Sequence, residues 1–300
     1  MINVCLAGTG GMLPIPDRWL TSLWVEHEGR AALIDCGEGT QIALAQYGCK
    51  LSGLDAIFIT HTHADHISGL PGLLLSLGNC GKTDMLKIYG GKGIADTVKK
   101  LCCICPFLPF GVEVKELPAD APSEIMWNGI SVRTLPLRHS VECLGYSFTL
   151  YRKPVFAPEK AKALGVDVKL WSRLHSGESV ESGGLLITPD MVTAGERPPI
   201  KLTYITDTRY FAELAEFARD SDLLVCEGMY GDDEHTEKMA EKGHMVFSQS
   251  AAIAAESCSK RLWLTHYSPA MKEPQQYAEQ VRSIFPETVI SVDGERTVLK

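Results

Sequence analysis

The segment that most constrains this chain is a group of four metal-binding side chains within six residues. His61-Thr62-His63-Ala64-Asp65-His66 directly follows the apolar run Ala56–Thr60, which has the length and composition of a buried strand. A helix is predicted to begin near Gly69. The group therefore lies in a strand-to-helix loop, where side chains converge instead of alternating across a sheet. Because imidazole and carboxylate groups are typical zinc ligands, the segment predicts a metal site.

Three further candidate ligands follow apolar strands later in the chain. His139 follows the predicted strand Ile130–Leu137, Asp207 follows Leu202–Thr206, and His266 follows Arg261–Thr265. A single histidine at a strand end is more often a structural hydrogen-bonding residue. Three such positions beside an HxHxDH loop favour a shared metal centre instead, because the loop alone supplies too few ligands for two metals.

The remaining pattern predicts an α/β fold. The predicted strands are Asn3–Ala7, Ser22–His27, Arg30–Ile34, Ala56–Thr60, Met85–Tyr89, Val112–Leu117, Ile130–Leu137, Leu144–Leu150, Leu202–Thr206, Leu223–Glu227, Arg261–Thr265 and Thr288–Val292. Helices are predicted after Gly37 and over Gly69–Leu77, Ile94–Leu101, Pro158–Leu164, Phe211–Arg219, Glu234–Glu241, Ser248–Cys258 and Pro274–Phe285. Two mixed β-sheets packed face to face, with helices outside, would bury these apolar faces in an αββα layering. Without repeats or linkers, residues 1–300 are predicted to form one domain.

Composition and charge predict a folded, acidic protein that contains one basic segment. Apolar residues make up 45% of the chain and charged residues 22%, which is ordinary for a packed core. The net charge of −8 argues against a surface coated for nucleic acid. One stretch carries six basic residues against Glu159 and Asp167: Arg152, Lys153, Lys160, Lys162, Lys169 and Arg173. A solvated helical face and a surface for a polyanion both fit this stretch.

The amino terminus lacks the basic and apolar segments of a signal peptide, and no run of about 18 apolar residues predicts a membrane span. We therefore expect a cytoplasmic protein with no membrane partner. The ten cysteines lie mostly within apolar segments, which favours reduced, buried thiols over disulfides. Cys102-Cys103-x-Cys105 has no second group at finger-like spacing, so this cluster is interpreted as core packing.

An HxHxDH loop followed by a later histidine, an aspartate and a final histidine resembles the metallo-β-lactamase superfamily over nearly the whole chain. The resemblance implies the αββα sandwich of that superfamily and two Zn²⁺ ions per chain, with Mn²⁺ or another divalent metal as a substitute. The implied ligands are His61, His63 and His139 for one ion, Asp65, His66 and His266 for the other, and Asp207 as the bridge.

Further motifs resemble the ribonuclease Z family. They are Gly8-Thr9-Gly10, Asp35–Gln41, Gly69–Leu74, His139-Ser140-x-x-x-Leu144-Gly145-Tyr146, and Glu227 with Lys242-Gly243-His244. The resemblance implies a homodimeric endonuclease that removes the 3′ trailer of precursor tRNA with a hydroxide activated by two zinc ions. It also implies that Asp65 orients this hydroxide. Glu227 and a protonated His244 would stabilise developing charge or protonate the leaving oxygen.

The same resemblance implies a tRNA-binding arm at about residues 151–200, with Lys160, Lys162, Lys169 and Arg173 as substrate-binding residues. Its tip reads Val166–Trp171, without the Gly-Pro that is usual in this family. The final motif continues as Ser268–Met271, without the Arg and Tyr that often follow. A second hypothesis therefore stays open, in which the same centre hydrolyses small phosphodiesters of the cyclic nucleotide type.

Three of the supporting residues also fit ordinary structural roles. Asp35 could form a tight turn into the following helix or support the metal loop. Glu227 could be a solvated residue after a strand, and His244 a helix cap. Joint membership in one motif set favours the catalytic interpretation of Glu227 and His244.

Overall fold

Sixteen strands form the framework of the chain, which a computed structural model describes from residue 1 to residue 300. They are β1 Ile2–Gly8, β2 Ser22–His27, β3 Arg30–Ile34, β4 Leu54–Phe58, β5 Leu86–Gly90, β6 Val112–Glu116, β7 Glu124–Trp127, β8 Ile130–Leu137, β9 Cys143–Leu150, β10 Val180–Ser182, β11 Leu185–Ile187, β12 Ile200–Ile205, β13 Leu223–Glu227, β14 Leu262–Thr265, β15 Thr288–Ile290 and β16 Glu295–Leu299. The α-helices are α1 Thr40–Gln46, α2 Ala64–Ile67, α3 Leu70–Asn79, α4 Ile94–Leu101, α5 Pro158–Ala163, α6 Val168–Ser176, α7 Glu213–Ala218, α8 Thr236–Lys242, α9 Phe247–Glu256 and α10 Ala278–Ile284.

Fourteen of the strands form two mixed sheets of seven strands each. The order is β16-β1-β2-β3-β4-β5-β6 in the first sheet and β15-β14-β13-β12-β9-β8-β7 in the second. Strands β3 to β6 run parallel in the first sheet, and β12 to β15 run parallel in the second. Because the carboxyl ends of parallel strands meet at one edge, each sheet has an edge where loops can gather functional side chains.

Alternate side chains of each strand pack on opposite faces of the sheet. In β4, Ile57 joins a buried cluster with Leu44 of α1 and Leu73 of α3. The neighbouring Phe58 packs edge-on against Phe148 of β9 in the other sheet, with ring centroids 5.2 Å apart. The second sheet is covered on its far side by α7, α9 and α10. The predicted α/β fold, two mixed sheets flanked by helices, is confirmed.

The chain divides into two compact units. Residues 1–149 and 201–300 form the larger unit, and Leu150–Ile200 form the smaller one. The smaller unit contains α5, α6 and the antiparallel pair β10–β11. It has its own small core, which comprises Ala161, Val166, Leu174, Val180, Ile187 and Val192.

Five structural features lie outside the predicted set, namely α2, β7, β16, the β10–β11 pair and α6. Helix α6 begins after Asp167, whose carboxylate accepts a hydrogen bond from the backbone N–H of Lys169 at 2.9 Å. This cap lies within Val166–Trp171, the segment interpreted from the sequence as the tip of the arm. Strand β16 lies at an edge of its sheet and pairs only with β1. Arg296 and Val298 are exposed on one of its faces and only Leu299 is buried, so the strand lacks a clear apolar pattern.

All ten cysteines are free, and five of them are buried. The interpretation of Cys102-Cys103-x-Cys105 as core packing is wrong for Cys103, which is exposed on a short 3-10 turn. Cys105 is buried, and its thiol donates a hydrogen bond to the carbonyl oxygen of Pro71. Among the helices, none combines the length and apolar character that crossing a membrane requires.

Candidate metal centre

The predicted ligands lie at the carboxyl ends of strands from both sheets. The loop after β4 carries His61 and His63, and the short helix α2 that follows carries Asp65 and His66. His139 follows β8, Asp207 follows β12, and His266 follows β14. Their nitrogen and oxygen atoms form overlapping clusters in which all members lie within 4.8 Å of one another. The two sheets therefore bring residues that are up to about 200 positions apart to one place.

Left-handed backbone conformations occur at three strand ends around the centre. Asp35 after β3, Asp207 after β12 and His266 after β14 have φ angles of 60°, 53° and 61°. Residues other than glycine rarely adopt this conformation, which costs on the order of 1–3 kcal/mol at each position. Such strain is typical of functional sites, where the surrounding fold holds a side chain in a fixed direction.

The first group of candidate ligands is His61, His63 and His139. Nδ1 of His63 faces Nε2 of His139 at 3.3 Å. Nε2 of His61 is buried and has no hydrogen-bond partner. Buried polar atoms are rarely left unpaired, so an unpaired imidazole nitrogen beside two others indicates a site for a cation.

The second group is Asp65, His66 and His266. Nε2 of His66 lies 3.1 Å from Nε2 of His266. Oδ2 of Asp65 lies 3.4 Å from each of these two nitrogens. All three residues are buried. Two imidazoles and a carboxylate that converge in this way form a donor set suited to zinc and similar divalent metals.

Asp207 lies between the two groups, and its two oxygens face different ones. Oδ1 lies 3.9 Å from Nε2 of His61 and 3.8 Å from Nε2 of His139. Oδ2 lies 3.3 Å from Nε2 of His66 and 3.4 Å from Nε2 of His266. One carboxylate is thereby shared between two sets of nitrogen donors.

The electrostatics of these residues fit a bound cation. Burial lowers the pKa of both His61 and His139, which keeps their lone pairs available. Burial also works against ionised Asp65 and Asp207, but the surrounding histidines outweigh it and hold both carboxyl pKa values well below their usual range. Burial disfavours a charged His66 as well, yet Asp207 and neighbouring carboxylates raise its pKa well above the ordinary value. A place that stabilises a proton on a buried imidazole also stabilises the positive charge of a metal.

A surrounding layer of hydrogen bonds orients the candidate ligands. Asp35 accepts a hydrogen bond from Nδ1 of His66 at 2.8 Å. Nδ1 of His139 donates to the carbonyl oxygen of Gly243 at 3.0 Å. Each contact leaves the opposite ring nitrogen, Nε2, directed at the centre. Gly243 has a φ of 76°, and a Cβ at this position would lie 2.7 Å from Nδ1 of His139, so the close approach requires glycine.

Glu227 and His244 form a pair beside the two groups. Nδ1 of His244 lies 2.9 Å from Oε2 of Glu227, while Oε1 of Glu227 accepts from the backbone N–H of Thr208. Burial alone would lower the pKa of His244, but the paired carboxylate outweighs it and raises the pKa to about 9. His244 also lies within ligand distance of Asp207 and His266. The buried carboxylate of Glu227 therefore favours a proton on this ring.

A cavity of about 470 Å³ opens onto the centre. Side chains of both candidate groups line it, together with Met12, Leu13, Tyr230, Lys242 and His244. The backbone N–H of Met12 donates to Oδ2 of Asp65 at 2.6 Å, which ties the exposed loop after β1 to the centre. The cavity gives a substrate direct access to the residues that would hold the metal.

The four predicted substrate-binding residues lie in the smaller unit and are exposed. Nζ of Lys160 donates to the carbonyl oxygen of Thr193, Lys162 pairs with Glu159 at 3.0 Å, and Arg173 pairs with Glu178 at 2.8 Å. Of these four charged groups, only the ammonium group of Lys169 makes no such contact.

Comparison with known proteins identifies the family. Residues 30–267 match the family described as beta-lactamase superfamily domain. Ribonuclease Z of Clostridium acetobutylicum is 44% identical over 304 residues, which covers 100% of this chain and 98% of that protein. Ribonuclease Z of Lachnospira eligens is 43% identical over 300 residues, with the same coverage. The chain belongs to the ribonuclease Z family.

Solved structures share the metallo-beta-lactamase fold with this chain. Human tRNase Z, short form, superimposes with a TM-score of 0.72 at 24% identity and covers 99% of each chain. The metallo-beta-lactamase fold protein YhfI from Bacillus subtilis gives 0.71 at 19% identity over 99% of this chain and 100% of its own. The predicted resemblance is thus confirmed, and the chain is a metal-dependent hydrolase of the ribonuclease Z family whose centre is built for a divalent metal.

Several contacts of the centre could not be derived from the sequence pattern. The Asp35–His66 hydrogen bond settles the open interpretation of Asp35, which supports the metal loop as well as turning the chain. The interpretation of Glu227 as a solvated residue is wrong, because its side chain is fully buried. The backbone groups of Met12 and Gly243 carry no side-chain signal at all, although the glycine next to His244 was a visible hint.

Proposed function

We propose that this protein is an endoribonuclease that removes the 3′ trailer of precursor tRNA with two divalent metal ions, zinc being the preferred metal. The position of Asp207 carries the two-metal part of the proposal, because its oxygens face two separate sets of ligands. The tRNA part is supported by relatives named ribonuclease Z and by the fold shared with human tRNase Z.

In this proposal the ligand sets are His61, His63 and His139 for one ion, Asp65, His66 and His266 for the other, and Asp207 for both. When bound, the ions lower the pKa of water towards neutrality and neutralise charge on the phosphate oxygens. Oδ2 of Asp65 is held by the N–H of Met12, which leaves Oδ1 to orient the attacking water.

His244 is assigned the role of general acid. Its pairing with the buried carboxylate of Glu227 keeps the ring protonated at neutral pH and fixes its orientation. The ring lines the cavity of the centre, so its proton is available to the leaving oxygen. The anchoring of Glu227 by the N–H of Thr208 makes the pair rigid before substrate binds.

The experiment that tests the proposal uses two substrates and one metal measurement. The zinc-loaded protein is incubated with a 3′-extended tRNA precursor and, separately, with an aryl phosphodiester, and its metal content is measured by elemental analysis. We expect about two metals per chain and cleavage of both substrates. One tightly held metal per chain would contradict the two-metal mechanism. Turnover of the aryl diester without cleavage of the precursor would favour a hydrolase of small phosphodiesters.

We also propose a cytoplasmic location and a homodimer, of which the homodimer rests on the family resemblance. The chain mass is 32.8 kDa, so light scattering coupled to size-exclusion chromatography should give twice this value. A monomeric mass at the concentration of the activity assay would contradict the dimer.

A further inference from the structure

A second cavity, about 310 Å³ in volume, lies beside the metal centre. It shares His139, Ser140 and Lys242 with the cavity of the centre, so the two spaces adjoin. Its walls carry three cationic side chains and one carboxylate: Arg138, Arg209, Lys242 and Glu241. We call this space the basic cavity.

The loops that carry the candidate ligands also position these cations. Arg138 precedes His139, and Arg209 comes two residues after Asp207. The backbone N–H of Arg209 donates to the carbonyl oxygen of Arg138 at 3.1 Å, which joins the two loops. Lys242 ends α8, two residues before His244. The backbone positions of the three cations are therefore set by the same elements that carry the candidate ligands and His244.

Two of the three cations are free to bind an anion. The guanidinium of Arg138 lies 4.3 Å from the ring centroid of Phe211, and its Nη2 lies 3.7 Å from Oε1 of Glu213. In contrast, the side chains of Arg209 and Lys242 are exposed and make no ion pair or hydrogen bond. Unpaired cations beside a cleft are notable in a chain of net charge −8.

The smaller unit offers less net charge than its basic stretch suggests. Residues 151–200 contain seven basic and six acidic residues. Lys162 and Arg173 are already paired with carboxylates. The basic cavity supplies unpaired cations beside the candidate ligand His139, where they can attract a polyanion to the catalytic cleft itself.

We propose that the basic cavity binds the phosphate of an RNA chain next to the phosphate that is cleaved, with Arg209 and Lys242 as its ligands. The planar guanidinium of Arg209 matches two phosphate oxygens, while Lys242 acts as a compact charge. An aryl phosphodiester has no neighbouring phosphate, so this subsite distinguishes polynucleotides from small diesters. The inference rests on the proposed function, since it assumes that a nucleic acid strand crosses the centre.

The test measures how strongly a short single-stranded oligoribonucleotide inhibits hydrolysis of an aryl phosphodiester, at increasing KCl concentration. Arg209→Ala and Lys242→Ala should each raise the inhibition constant on the order of tenfold. Each should also reduce the slope of log affinity against log salt by about 0.7–1, because one fewer counterion is released. Arg209→Lys and Lys242→Arg should keep the slope. Lys99→Ala, which removes an exposed charge from α4, is the matched control and should behave as the parent.

Metal content and thermal unfolding verify that each variant is intact. An unchanged salt slope in the double variant Arg209→Ala/Lys242→Ala would overturn the subsite. Failure of the parent to cleave precursor tRNA would count against the proposed function instead. The inhibition assay does not depend on tRNA cleavage, so the two failures are distinguishable.

Discussion

Nδ1 of His66 lies 2.8 Å from Oδ2 of Asp35, and both side chains are completely buried. Since the carboxylate fixes the ring so that Nε2 points at the centre, Asp35→Ala should lower metal affinity about 10–100-fold. Competition with a chelator, followed by elemental analysis, measures this loss. Asp84→Ala removes an exposed carboxylate and serves as the control. Parent-like affinity in Asp35→Ala would mean that the ring is held by packing alone.

Removal of the proposed acid should separate chemistry from metal binding. His244→Ala is expected to keep the parent's metal content and to lower kcat on the aryl diester by about 10²–10⁴, the usual contribution of a general acid. His175→Ala removes an exposed imidazole from the smaller unit and should leave kcat unchanged. Loss of metal in His244→Ala would show that this residue supports the ligands instead of donating a proton.

The pH profile should report the Glu227–His244 pair. The raised pKa of His244, about 9, means that the acid stays protonated at neutral pH and loses its proton as the pH rises through that value. We therefore expect kcat/KM to fall on the alkaline side near pH 9. Glu227→Gln keeps a hydrogen-bond acceptor but removes the charge that raises this pKa, so the alkaline limb should move to lower pH. An alkaline limb at the same pH in both proteins would assign it to another group.

The role of the smaller unit's basic stretch in binding tRNA remains a prediction. If it grips tRNA, the combined variant Lys160→Ala/Lys162→Ala/Lys169→Ala/Arg173→Ala should raise KM for precursor tRNA and weaken its salt dependence. Among the single variants, Lys169→Ala should have the largest effect, because the other three side chains already have partners within the unit. Kinetics on the precursor at several salt concentrations decide this. Parent-like processing by the combined variant would exclude these residues as the tRNA-binding element.

The contact between the sheets should dominate stability. Phe58 is fully buried and packs edge-on against Phe148 and Tyr146 of the opposite sheet. Phe58→Ala should lower the free energy of unfolding by about 3–5 kcal/mol, as measured by urea denaturation. Phe107 is 92% exposed, so Phe107→Ala should change it by less than about 0.5 kcal/mol. Similar values for both variants would contradict a core between the sheets.

The ligand segment His61–His66 was predictable because its four side chains are neighbours in sequence and follow an obvious apolar strand, although helix α2, which begins within it, was not predicted. His139, Asp207 and His266 were predictable because strand ends of a layered fold meet at one edge. The Asp35–His66 bond could not be derived in the same way, since it depends on how β3 and β4 pair.

The smaller unit shows a second limit of sequence reasoning. Its basic residues were visible in the sequence, but the ion pairs that Lys162 and Arg173 form with neighbouring carboxylates were not. The ion pair of Arg173 with Glu178 spans the end of α6, a helix that was not predicted from the sequence. Ion pairs of this kind depend on local geometry that composition does not record.

The left-handed conformations at Asp35, Asp207 and His266 lower the stability of the fold, but they hold side chains that the centre needs. Glycine at any of these positions would relieve backbone strain, although it would also remove a buried side chain and its hydrogen bonds. Without a bound cation, the clustered histidines and carboxylates contribute less to the stability of the fold. Replacement of these residues by glycine would then cost less stability than in the metal-bound protein. A laboratory evolution experiment that selected only for thermal resistance, under metal-depleted conditions, would therefore tend to erase the centre before it altered the core.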